Sequence, residues 1–157
     1  MINKKGILKK VLVLTLAGGL AFWLANFAIS RTAIAADYRA AMSISYFPML
    51  LEALIGGLVI GLLVSYLYLR FYDRIPVKDP VLKSVILSAM VLLIITISIG
   101  NPSTFSGTND VLRYFVIGTA FNMIRITALG IAIGFVCKRQ HGEVKSTVVV
   151  ASPAGLK

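Results

Sequence analysis

The chain has 157 residues, is 58% hydrophobic and 14% charged, and has a mean hydropathy of +0.88. Soluble domains carry about 25% charged residues, so an ordinary water-soluble fold is disfavoured. Sixteen Lys and Arg against six Asp and Glu give a net charge of +10, while one cysteine (Cys137) and one histidine (His141) leave no internal disulfide, CxxC motif or usual zinc-ligand set.

A bilayer core about 30 Å thick needs roughly 20 apolar residues in a helix. Residues 1–10 read as a basic segment carrying Lys4, Lys5, Lys9 and Lys10, and residues 11–30 then run without a charge. This start also has the form of a secretory signal, with Ala33-Ile34-Ala35 as an A-x-A site. A cleavable apolar run is typically 7–15 residues, so the longer run here favours a retained helix. The Ala-rich connection that follows reads either as an interfacial helix or as an extension of the first.

A second span is expected over residues 49–70, with Pro48 at its first helical position and Glu52 its only acidic residue. Gly57 and Gly61, followed by Ser65, form a small-residue stripe of the kind that lets helix backbones approach closely. The prolines and mixed charges of FYDRIPVKDP predict a short ordered turn. Asp79-Pro80 then reads as an N-cap followed by proline at the first helical position, opening a third span over residues 80–99. Gly100-Asn101-Pro102 ends it, and GNPSTFSGTND is turn chemistry throughout.

The fourth span, residues 111–137, has Asn109 or Asp110 as its cap and Arg125 near its middle. A charge at that depth costs at least about 2.5–3.5 kcal/mol and normally faces a partner or water. Asn122 lies one turn before Arg125 and Gly118 another turn before that, while Gly130 and Gly134 repeat the glycine stripe. The two glycine segments align with Glu52 and Arg125 at the same register, five residues before the first glycine, as a duplicated two-helix unit would, but seven aligned residues of low complexity are better read as chance similarity. The tail, residues 138–157, lacks a packing pattern and reads as disordered.

The expected fold is therefore all-α: an integral membrane protein with four transmembrane helices in an antiparallel up-down bundle over residues 11–137. Twelve basic residues fall on the side of the termini and three, Arg31, Arg39 and Arg113, on the other. The positive-inside rule then places both termini in the cytoplasm of a cell-membrane protein. The basic ends pair with anionic lipid headgroups, and nucleic-acid binding is not needed to explain the charge. Tyr66, Tyr68, Phe71 and Tyr72 mark the inner boundary.

Arg125, Glu52 and Asn122 are the candidate intramembrane polar site, with Arg125 and Glu52 the expected ion pair. Gly57, Gly61, Ser65, Gly118, Gly130 and Gly134 are the candidate helix-packing residues. No catalytic constellation or cofactor motif stands in the sequence, so an enzyme is not expected. Two readings remain. One is a non-catalytic structural or accessory subunit, packing through its small-residue faces against itself or a larger membrane complex. The other is a small oligomeric transporter or channel using Arg125 and Glu52.

Overall fold

The computed structural model describes residues 4–99 and 110–150, with side chains over 6–95, at 97 and over 110–140. Apart from short connections the described residues are helical, and they contain no strand. Helix α1 spans Lys4–Ser30, α2 Ala33–Ala41, α3 Tyr46–Phe71, α4 Pro80–Ile99 and α5 Val111–Val150, with a 3₁₀ turn at Tyr72–Arg74. Three stretches, Gly6–Ser30, Tyr46–Arg74 and Val111–Gln140, are long and apolar enough to cross a membrane, and Pro80–Ile95 is a shorter apolar helix.

The helix starts follow local chemistry. Asp79 Oδ1 accepts from the Val81 amide at 3.1 Å, and the Lys83 amide closes the first turn on the Asp79 carbonyl at 3.0 Å. This is the N-cap and proline start expected of α4. Thr32 caps α2 in the same way, its hydroxyl accepting from the Ala35 amide at 3.2 Å. The Ala-rich connection is thus a helix separate from α1. Ser43, at φ 53°, turns the chain from α2 into α3.

Several expected boundaries move. The basic N-terminal segment is helical from Lys4. Helix α3 opens at Tyr46 behind Ser45, which puts Pro48 at the third helical position rather than the first. A proline is still harmless there, because the amides of a first turn have no intrahelical acceptor. Helix α5 continues past Cys137 to Val150, so residues 138–150 are helix rather than the expected disordered tail. No proline interrupts them before Pro153. The expected stop at Gly100-Asn101-Pro102 lies outside the described residues.

The interior is made of small residues and the outside of large apolar ones. Gly57 packs on Phe22 and Gly19 of α1, and Gly61 on Thr15 and Gly19. Gly130 meets Ser88 and Val85 of α4, and Gly134 meets Val81 and Pro80. Gly18, on another face of α1, abuts Ile133 and Leu129 of α5. Each of these three contacts is antiparallel, and α1 lies between α3 and α5. Both GxxxG stripes are consumed inside the chain, each receiving the long helix that precedes it.

Ser65, Ser84 and Ser88 are fully buried, whereas Leu8, Leu12, Leu16, Leu20 and Leu24 form an exposed stripe along α1. Leu51, Ile55, Val59 and Leu62 on α3 and Leu112, Val116, Met123 and Phe135 on α5 are exposed as well. In water such continuous apolar faces drive association. In lipid they are the solvated surface, and close packing of small residues holds the helices together. This distribution is that of a membrane protein.

Candidate functional site

Helix α5 brings Gly118, Asn122 and Arg125 to one face, a turn apart from each other. The Arg125 side chain leans toward the helix N-terminus, as helical side chains do. Its Nη1 donates to Asn122 Oδ1 at 3.1 Å, and its guanidinium carbon lies 6.0 Å from the centre of the Phe121 ring. Arg125 Nε is buried and has no hydrogen-bond partner.

Facing it are the last turns of α1 and, from α2, Ala35, Tyr38 and Arg39. The space at Gly118 is filled by the phenol of Tyr38, whose oxygen lies 2.9 Å from where a Cβ would stand. The Tyr38 ring is held edge-on by Tyr114 and Phe121, with centroids 6.1 and 5.9 Å away. Burial pushes the Tyr38 phenol above its ordinary value while the charge of Arg125 pulls it down, so at neutral pH it is an uncharged donor. Arg39, one residue on, donates from Nη1 to the Ser30 carbonyl at 3.0 Å and rests 5.2 Å from the centre of the Tyr46 ring.

Between these elements lies a cleft of about 210 Å³ lined by residues of α1, α2, α3 and α5 and by Ile44. Arg125, Arg39, Asn122, Tyr38 and Asn26 supply its polar wall, and Ile29, Ile44, Met49 and Phe121 much of its apolar one. Asn26 is the singular member. It is 1% exposed, and neither its Oδ1 nor its Nδ2 has a partner. A buried amide left unpaired costs about 1–3 kcal/mol, and such a group in a native fold calls for an explanation.

Glu52 lies elsewhere. It is exposed and makes no ion pair with Arg125, so the expected pair does not form. The reason is rotational. At about 100° per residue, Glu52 stands roughly 140–180° from Gly57 and Gly61, which α3 turns toward α1. Packing the glycine stripe therefore sends the carboxylate to the opposite side.

The sequence singled out Arg125, Asn122 and Gly118, which the structure brings together. It gave no sign that Tyr38 and Arg39 would join them, because α2 is short and lies outside every expected span. Asn26 carried a signal, being an amide inside an otherwise charge-free apolar run.

No family model, curated protein or solved structure matches this chain.

Proposed function

We propose that the chain is a non-catalytic, four-span membrane protein with both termini cytoplasmic, and that its function resides in the Arg125 cleft. It binds a small solute there and belongs to the transporter or channel class. The observation that carries this reading is that two of the residues lining one cleft, Asn26 and Arg125, carry buried polar atoms without a hydrogen-bond partner. The alternative, an accessory subunit docking through its small-residue faces, loses support because both glycine stripes already receive helices of the same chain. Glu52, facing away, has no part in the site.

Four spans are favoured by the apolar length of α4 beside the three longer helices. Four helices enclose little volume, which suits a homo-oligomer as the working form. The lysine-rich ends have anionic headgroups as their natural counter-charge. The cleft lies where α1 ends and α2 begins, which is the non-cytoplasmic end under this topology.

The test is side-chain accessibility. Met49 lines the cleft, and Met49→Cys in a Cys137→Ala background should react from outside intact cells with a membrane-impermeant, anionic thiosulfonate. A cationic reagent of the same size should react several-fold more slowly. Failure of both reagents would remove the cleft as a solute site.

A further inference from the structure

The cleft has the chemistry of one ligand class. We propose that it binds a small organic carboxylate, held side-on by the Arg125 guanidinium, with its apolar body against Ile29, Ile44 and Met49. The inference rests on the solute-binding reading and deepens it.

Charge comes first. Two cationic side chains, Arg125 and Arg39, line the cleft, and no carboxylate does. The nearest acidic residues in sequence, Asp37 and Glu52, are both exposed. An anion entering this space meets fixed positive charge with no acidic competitor among the lining residues.

Geometry decides the mode. Arginine binds carboxylates through paired, parallel N–H donors. Asn122 occupies Nη1, which leaves the Nε and Nη2 edge, and neither of these atoms makes a hydrogen bond. That edge matches the two oxygens of one carboxylate once a small side-chain rotation turns the covered Nε toward the cleft. Asn26 and Tyr38 line the same cleft, and the unpaired Asn26 amide and the neutral Tyr38 hydroxyl are the further donors that α1 and α2 hold beside it.

Volume and lining separate an organic acid from a bare ion. A water occupies about 30 Å³ of liquid, so about 210 Å³ holds roughly seven. Chloride would leave most of that space empty and the apolar wall unused. A short aliphatic acid places its charge on Arg125 and covers Ile29, Ile44 and Met49, in keeping with pockets whose few polar groups orient a mostly apolar ligand.

The experiment uses the full-length protein in detergent or nanodiscs, with thermal unfolding followed by the fluorescence of Trp23. Sodium butyrate is titrated against sodium chloride, sodium sulfate and neutral butyramide at constant ionic strength. Butyrate should raise Tm saturably. Its half-saturating concentration should rise at least tenfold in Arg125→Lys, which loses the paired donors, and several-fold in Asn26→Leu. Glu52→Gln should titrate like the parent. If Arg125→Lys does not fold, Arg39→Gln gives the reading, with a several-fold weaker response expected. Equal responses to butyrate and butyramide, or an unchanged titration in these cleft variants, would overturn the proposal. A saturable response to chloride or sulfate as strong as that to butyrate would overturn the carboxylate class and leave a solute site standing. No saturable response to any salt would overturn both.

Discussion

The ammonium of Lys83 lies 2.6 Å from the backbone carbonyl of Tyr72, 4.1 Å from the centre of the Tyr72 ring, and only 7% exposed. A cation on the first turn of α4 thus closes the carbonyl end of α3 as it leaves its helix. In the sequence Lys83 is only one of the twelve basic residues on the side of the termini. In the fold it joins two helices, as basic groups at helix C-termini do through both hydrogen bond and dipole. Tyr68 strengthens the same junction. It is fully buried rather than part of an interfacial belt, and its hydroxyl donates to the Pro80 carbonyl at 3.0 Å.

Lys83→Met should therefore lower stability by about 1.5–3 kcal/mol, the worth of a hydrogen bond to a charged group. Lys78→Met, at an exposed position in the same connection, should change it by less than about 0.5 kcal/mol. Unfolding in mixed detergent micelles checks both. Equal effects would mean that the Lys83 contact contributes nothing beyond surface charge.

The glycines separate by what surrounds them. A Cβ at Gly134 would stand 2.5 Å from the Val81 Cα and 3.0 Å from the Pro80 carbonyl oxygen, both backbone atoms that cannot rotate aside. Gly134→Ala should force α4 and α5 apart and cost about 1–3 kcal/mol. Nothing lies within 4 Å of a Cβ at Gly56. Gly56→Ala should be neutral or stabilise by about 0.5–1 kcal/mol through reduced backbone entropy. The same unfolding assay orders the two, and the reverse order would place α4 elsewhere.

Glu52 and Arg125 should behave as independent sites. A double-mutant cycle of Glu52→Gln with Arg125→Met should give a coupling energy below about 0.5 kcal/mol. Arg125→Met alone should cost more than Glu52→Gln alone, because only Arg125 has a hydrogen-bonded partner, Asn122. A coupling of 1 kcal/mol or more would bring the carboxylate back to the guanidinium.

Topology is tested at two turns. Ser43→Cys, between α2 and α3, should be labelled by an impermeant maleimide from outside intact cells carrying Cys137→Ala. Val77→Cys, before α4, should be labelled only after the membrane is opened. The opposite pattern would invert the positive-inside argument and move the cleft to the cytoplasmic side.

Class, helix content and the start of α4 were legible in the sequence because each is local. Run length decides whether a helix reaches across a bilayer, and Asp79-Pro80 caps whatever follows it. Pairing of Arg125 with Asn122 was legible for the same reason, since residues a turn apart meet on any helix. Which face meets which neighbour was not. Helices α1, α3 and α4 are apolar nearly all round, so no amphipathic stripe marks an inner side. A glycine pair signals close approach without naming the helix that approaches. Only the tertiary structure turned Gly57 and Gly61 toward α1 and thereby Glu52 outward. It alone laid the nine residues of α2 across Gly118, bringing Tyr38 and Arg39 to Arg125, because that contact depends on how a short helix folds back over a bundle already packed.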